Sequence, residues 1–511
     1  MTRCNDIKAF KSELILEKKK SNPYFFFIAI NLILFSFIGC QEDNTGQRTN
    51  GQGNTLDDPV VSQPASQPNI IFLLTDDQRF DALSFAGNPV LQTPHIDSLA
   101  QNGVYFNNAY VTTSICAMSR ASILTGQYAR RHDVWDFGKS LTEEQLDNSY
   151  PGLMKKAGYT TAFVGKFGVG NVQQATADKY FDYWAGFNGQ GAYESNYEGQ
   201  PIHLTEKMGN QALDFLDMQD SVEAPFLLSM SFKAPHVQDG HPDIFVSDER
   251  YRGLYQSDQI EEPLAADEAY YNYFPDEFIT NKNGAENVAR KRWHNRFGTP
   301  EKFQENVKKY YELIHGVDVV VGRIMDKLNE LDMADNTVIV FTSDNGFYFG
   351  EYGFAGKWYG SDVSIRVPMI MFDPRPNAPR GVTIDEMALN IDVAPTLLSI
   401  AGIDAPDVMQ GEDLTQLITV NASNWRQDFL YEHLWPSSDA YYIPSTEGVV
   451  TEGHKYMRYF LNRDFDNVMF EEFYDREQDA DETNNRMADP TYSSQINQLK
   501  QKLEIMRDEA K

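Results

Sequence analysis

The sequence predicts an α/β protein: a mostly parallel central sheet flanked by helices, plus a smaller C-terminal α+β subdomain with an antiparallel sheet. Three observations carry this. Five short apolar runs fit buried parallel strands: residues 69–74 (NIIFLL), 159–164 (YTTAFV), 226–231 (FLLSMS), 337–342 (TVIVFT) and 368–372 (PMIMF). Helix-like stretches lie between them. "TPHIDSLAQNG" opens on Pro and closes on Gly, and residues 306–331 place apolar side chains at helical spacing. That alternation is the α/β signature. Late in the chain, "GVVTEGHKYMRYF" and "FEEFYDRE" read as strands and "SQINQLKQKLEIM" as an amphipathic helix.

The chain has 511 residues, 41% apolar and 13% aromatic, enough for a substantial core and more than one domain. Residues 1–39 stand apart. "KKK" precedes an apolar run over residues 24–38, shorter than the roughly 20 residues a spanning helix needs, so this reads as a secretory signal. The run ends "FSFIGC", which resembles a bacterial lipobox. Cys40 is then the lipidated first residue of a mature lipoprotein, exported to the outer membrane; an ordinary signal peptide cut nearby is the alternative. Residues 40–68, rich in Gln, Asn, Gly, Ser and Pro, read as a flexible linker. Of the three cysteines, Cys4 leaves with the signal and Cys40 takes the lipid. Cys116 therefore has no disulfide partner, and is either a buried thiol or a used one. A net charge of −30, with no long basic run in the mature part, argues against nucleic acid as a partner. An anion site here has to be a local basic pocket working against the global field.

Four of the predicted strands run into polar residues at their carboxyl ends: Asp76 and Asp77; Lys166; Lys233 and His236; Asp344 and Asn345. Open α/β sheets bind ligands at that edge, so these residues can converge. Asp76, Asp77, Asp344 and Asn345 offer hard oxygen ligands suited to Ca²⁺ or Mg²⁺. Arg120, Lys166, His236 and Lys357 offer donors for a tetrahedral oxyanion. Cys116 opens a predicted helix that ends at Gly126, with Arg120 one turn along the same face, and a helix N-terminus favours an anion. Nucleophile, hard cation and basic cradle together imply hydrolysis of a sulfate or phosphate ester.

These residues resemble the formylglycine-dependent (type I) sulfatases of the alkaline phosphatase superfamily. The family signature C-x-P/A-x-R reads here "CAMSRASILTG". "NIIFLLTDDQRFDAL", "TPHIDSLAQNGVYFNNAY", "NTVIVFTSDNGFYFGEYGF", "SIRVPMI", "IDVAPTLLSIAGI" and "FYDREQDADETNN" follow in the family's order. The resemblance implies an alkaline-phosphatase-like sandwich. It implies one Ca²⁺ held by Asp76, Asp77, Asp344, Asn345 and the modified Cys116. It also implies conversion of Cys116 to formylglycine (3-oxoalanine) by a maturation enzyme. Arg120 and Lys166 would hold the gem-diol and the sulfate, and His236 and Lys357 would neutralise the ester and assist the leaving oxygen. The chain departs from the pattern twice: Met118 stands at the third signature position, and Gly168 stands where the family has a histidine after the strand-end lysine. His132 and His433 are candidates for the pocket rim, or else structural histidines.

The expected catalytic domain is residues 69–419, with an insertion at about 237–305, followed by a C-terminal subdomain at 420–511. Within the insertion, "VARKRWHNRF" is a basic-aromatic patch that could line a carbohydrate subsite, with Trp293 stacking on sugar, or else be a solvated helix face. An exported, tethered protein of this kind resembles marine Bacteroidetes enzymes that act on algal sulfated polysaccharide. Ulvan, carrageenan or fucoidan fragments are the candidate substrates, ulvan favoured, with glycosaminoglycan sulfates as a further alternative, reached from a membrane anchor at Cys40. A phosphate or phosphonate ester hydrolase, or a non-catalytic sugar-binding relative, are the alternatives.

Overall fold

The structure is a computed structural model that describes residues 67–419 and 424–511. The signal segment, Cys40 and the linker up to residue 66 lie outside the described residues. Among the described residues, no helix is long and apolar enough to cross a membrane.

An eight-stranded sheet forms the centre. Its order is Val382–Ile384, Val104–Phe106, Met369–Phe372, Thr337–Ser343, Asn69–Asp76, Phe226–Pro235, Thr160–Lys166, Tyr183–Phe187. Strand Asn69–Asp76 lies between Thr337–Ser343 and Phe226–Pro235, parallel to both. Alternation along it explains why it is central: Ile70, Phe72 and Leu74 enter the core on one face, Ile71 and Leu73 the core on the other. Helices Leu204–Gln219 and Pro300–Glu330 cover the second face through Met208, Ala212, Phe215, Val307, Ile314 and Val317. Helices Cys116–Thr125 and Val393–Ile400 cover the first through Met118, Ala121, Leu124, Ala394 and Leu397.

One expected strand runs the other way. Met369–Phe372, read from sequence as parallel, is antiparallel to both of its neighbours. The reason lies in its connection. A parallel return needs a crossover to the far edge, usually through a helix. Residues 344–368 contain only a 3-10 turn, two two-residue strands and the four-residue helix Asp362–Ile365. The chain leaves Ser343 at the carboxyl edge, stays there, and must come back downward.

The C-terminal region forms the expected antiparallel sheet from Asp428–His433, Ser445–Thr451, His454–Phe460 and Phe470–Asp475. Helix Ser493–Glu509 packs Ile496, Leu499 and Leu503 on Leu430, Val449, Tyr456 and Phe473 of one face. Residues of the other face, Phe429, Tyr431, Val450, Met457 and Tyr459, join the core beneath the main sheet.

A buried ion cluster ties this sheet to the connection after Ser343. Lys455 Nζ, in a side chain with no exposure, lies 2.5 Å from Asp362 Oδ1, donates to Gly360 O at 2.9 Å and pairs with Glu482. Arg476 reaches Asp362 Oδ2 at 2.8 Å and Tyr110 Oη at 2.5 Å. Burial pushes the Glu482 carboxyl up to about 7, against the pull of Lys455. Removing one member of a buried pair strands its partners, at a cost of about 3–5 kcal/mol. Lys455→Met, which keeps the volume and loses the charge, is expected to lose stability by about that amount in chemical denaturation; a loss under about 1 kcal/mol would show that the cluster does not hold the two sheets together.

Candidate active site

Helix Cys116–Thr125 starts at the expected place. Ile115 caps it in extended conformation (φ −159°), Ser119 N–H closes the first turn on Ile115 O at 3.0 Å, and Gly126 ends it in the left-handed region at φ +66°. All ten residues are buried. The helix has no polar side chain at its N-cap, so its free N–H groups and its dipole are directed at residue 116.

Arg120, 2% exposed, gathers the strand ends. Its Nε donates to Asp344 Oδ2 at 2.7 Å, one terminal nitrogen donates to Lys166 O at 2.6 Å and to Ser231 Oγ, and the other donates to Asp76 Oδ2 at 3.2 Å. Those four partners sit on or just past the four strands expected to converge, and the structure does bring them together.

Asp76 ends its strand and Asp77 follows at φ +68°, a left-handed conformation that costs a non-glycine residue about 1–3 kcal/mol. The surroundings hold it there: Tyr310 of the long helix donates to Asp77 O at 2.7 Å, and Asp77 N–H donates to Asp344 Oδ1 at 3.2 Å. Asp344 N–H in turn donates to Thr75 O at 3.0 Å.

Three carboxylates and three cations meet here without solvent. Lys166 Nζ pairs with Asp76 Oδ2 and donates to Gln190 Oε1 at 2.7 Å. Lys357 Nζ pairs with Asp77 Oδ1 and lies 2.8 Å from Cys116 Sγ, which is 3.3 Å from Asp76 Oδ1. Burial alone would raise Asp76, but the charges of Lys166, Arg120 and Lys357 hold it well below the usual carboxylate range. Burial outweighs Lys357 at Asp77 and lifts it to about 6; Asp344 is raised by burial and by Asp76. Burial and Asp76 push the Cys116 thiol up to about 12, so the free thiol is not a thiolate at neutral pH. His236 Nδ1 donates to Val237 O at 2.7 Å, which leaves Nε2 as the basic atom, 3.7 Å from Asp77 Oδ2. Burial keeps the ring neutral, with its pKa well below the usual histidine value.

The set fits a hard divalent cation. Donor atoms of Asp76, Asp77, Cys116 and His236 lie within 4.8 Å of one another. Asn345 Nδ2 donates to Asp77 Oδ1 at 2.6 Å, while its buried Oδ1 has no hydrogen-bond partner among the described residues. A divalent ion on these oxygens would take over the neutralisation now supplied by Lys166 and Lys357.

Cys116, Lys166, His236 and Lys357 line a cavity of about 310 Å³, together with Gln190, Asp239, Arg292, Trp358, Trp435, Tyr441 and Phe137. Arg120, Asp76, Asp77, Asp344 and Asn345 lie behind it. The two rim candidates do not line it. His132 is buried, with its ring nitrogens toward Ser122 Oγ (3.1 Å) and Val134 N–H (3.1 Å). His433 is fully buried in the C-terminal sheet, 6.4 Å from the Trp435 ring and parallel to it. Both follow inward-facing positions that sequence alone does not orient, and burial takes each to about 3. Within the basic-aromatic patch, Trp293 packs in the core against Tyr271 rather than offering a face to the cavity, while Arg292 does reach it. Sequence reading missed Gln190, Asp239, Trp358 and Trp435. The one available signal was "NGQG", whose glycines at φ +69° and +64° turn the chain so that Gln190 meets Lys166. Lys233, noted from sequence, holds that loop by donating to Gly191 O at 2.8 Å; burial, with Lys166 nearby, lowers it to about 8.

The family model described as Sulfatase matches residues 68–403, and that described as N-sulphoglucosamine sulphohydrolase, C-terminal, matches 350–509. The chain is 28% identical to an N-acetylglucosamine-6-O-sulfatase of Bacteroides thetaiotaomicron, over 86% of each chain. It is 28% identical to an ulvan-active sulfatase of Formosa agariphila, over 86% of this chain and 80% of that one. A solved structure in complex with its substrate D-glucosamine-2-N,6-O-disulfate superposes with TM-score 0.72 at 25% identity, covering 87% of this chain and 98% of that one.

Two outcomes are expected. Gly168 has φ +77°, and a Cβ there would lie 2.5 Å from Arg120 Cδ. Gly168→His, which would restore the family residue, is therefore expected to push Arg120 off its partners and to cost about 1–3 kcal/mol of stability, with at least tenfold loss of turnover; a gain in turnover would contradict this. Titrating Ca²⁺ into metal-free protein should raise its unfolding temperature saturably, by the equivalent of about 2.7 kcal/mol at a hundredfold excess over Kd, and Asn345→Ala should diminish that rise. No shift with Ca²⁺ or Mg²⁺ would exclude the cluster as a metal site.

Proposed function

The chain belongs to the sulfatase family, and from that premise we propose that this sulfuric ester hydrolase cleaves sulfate esters of an algal polysaccharide, ulvan fragments in first place, with a formylglycine made from Cys116 and one Ca²⁺. The observation that carries the chemistry is Cys116 at a helix N-terminus, with Lys357 Nζ 2.8 Å from its sulfur, at the end of a cavity lined by Lys166 and His236. A thiol held near 12 is a poor nucleophile, which favours a residue 116 that works in modified form. Cys116 is 1% exposed, so a maturation enzyme would have to reach it before this segment folds. The name of the Formosa relative supports ulvan; the N-acetylglucosamine-6-O-sulfatase and the glucosamine disulfate complex support sulfated amino sugars as the second choice. Lipidation at Cys40, with an outer-membrane location, belongs to the same proposal and rests on the sequence alone.

Hydrated formylglycine would supply an oxygen nucleophile toward sulfur, and Ca²⁺, held by Asp76, Asp77, Asp344 and Asn345, a fixed positive charge for the sulfate oxygens. The chain's own groups do the rest. Arg120 keeps the acidic residues in register, behind the cavity. Lys357 and Lys166 bring their Nζ atoms to the sulfate and to the departing oxygen. His236, neutral with Nδ1 committed to Val237 O, takes up a proton at Nε2 and can return it to the leaving alcohol. Burial of all four side chains excludes competing water.

Protein made alongside a maturation enzyme is expected to release sulfate from 4-nitrophenyl sulfate far faster than phosphate from the matched phosphate ester. Cys116→Ala should fold normally and abolish that turnover. Preference for phosphate by orders of magnitude would support the phosphate or phosphonate ester alternative. An unmodified Cys116 peptide in mass spectrometry, with no turnover, would leave the sugar-binding alternative.

A further inference from the structure

The cavity carries a cationic element that this chemistry does not use. Arg292, on helix Val288–Arg296, lays its guanidinium over the Trp358 ring at 5.1 Å from the centroid. Among the described residues its one hydrogen-bond partner is Asp239, whose Oδ2 accepts at 3.2 Å. Asp239 is more tightly held by Arg296, at 2.7 Å. Two guanidiniums thus share one carboxylate, and the cluster carries a net positive charge within a chain of net charge −30. Arg296 is buried, whereas the Arg292 side chain is 24% exposed and lines the cavity.

Stacking on Trp358 fixes the plane of the guanidinium, and Asp239 engages one edge of its five-donor fork. The remaining donors are free for a planar or tetrahedral anion. The same cavity offers a surface for an apolar ring face. Phe137 (47% exposed) and Tyr441 (51% exposed) are the only exposed aromatic side chains among the described residues; both line it, and Phe137 lies 5.3 Å from Trp435. In so acidic a protein, a pre-oriented cation beside an aromatic platform is the local positive field that an anion needs in order to enter the cavity.

We propose that Arg292, braced by Trp358 and Asp239, binds a second anionic group of the substrate, a carboxylate or a further sulfate on the same saccharide, distinct from the sulfate being hydrolysed. This rests on the carbohydrate-sulfatase reading. It narrows the substrate to polyanionic saccharides and makes Arg292 the residue that selects them.

The test is calorimetric binding in a Cys116→Ala background, where nothing turns over. The probes are a monosulfated hexosamine, the same sugar with a second sulfate, and a sulfated uronic-acid disaccharide with its carboxylate free or methyl-esterified. The second anion is expected to tighten binding at least tenfold, and R292Q to bring that preference to within about twofold of unity. R292K should fall between, because it keeps the charge and loses the fork. The preference should shrink with rising salt. A protein that never prefers the second anion, or binds no dianionic probe, overturns the proposal. So does R292Q retaining the preference, or weakening all probes equally, which would mean that Arg292 reads hydroxyls or only supports Trp358. Thermal unfolding of each variant checks that it folds. Failure of the sulfatase reading is a different result, the absence of sulfate release from 4-nitrophenyl sulfate by the mature wild-type protein.

Discussion

A single buried guanidinium organises the molecule's working edge. Arg120 bonds Asp344, Asp76, Ser231 Oγ and the carbonyl of Lys166, so four strands that share no sequence neighbourhood end against one rigid planar group. Lysine could not do this: the fork fixes directions as well as charge. The approach demands room, and Gly168 provides it, since any side chain there would meet the Arg120 stem. In this chain the glycine at 168 and the path of the Arg120 stem are thus one fact about packing.

Charge balance explains much of the remaining geometry. Three carboxylates are buried with three cations, and the lysines that face the cavity are at present turned onto Asp76 and Asp77. Such a cluster is stable only because its charges cancel. A cation on the oxygen atoms would release the lysines, so that metal binding and anion binding reinforce one another. The connection from residue 344 to 368 serves the same arrangement. It brings Asp344, Asn345 and Lys357 to the carboxyl edge in one excursion, and the following strand runs antiparallel as a consequence.

The cavity is built by more than the main sheet. The loop around Gln190, the insertion through Asp239 and Arg292, and the C-terminal region through Trp435 and Tyr441 each supply part of its wall. The C-terminal sheet is held against the main sheet by Lys455 and Arg476 acting on Asp362, a residue of the Lys357 connection. Sheet docking and cavity shape are therefore coupled through one short stretch of backbone.

The sequence by itself determined the fold class, four strand ends rich in ligands, the helix that starts at Cys116 and the family resemblance. Each of these is a local pattern: apolar runs, polar residues just past them, a Gly stop, a short signature. It did not orient His132, His433 or Trp293, because a residue's type does not say which face of its element turns inward. Nor did it assign Gln190, Asp239 or Trp358, which reach the cavity through loops and an insertion without periodicity. Only the tertiary structure decided that Arg120 stands behind the cavity rather than in its wall, that the strand at Met369 runs antiparallel, and that Arg292 rests on Trp358. These are contacts between segments far apart in sequence, and packing, not local preference, selects them.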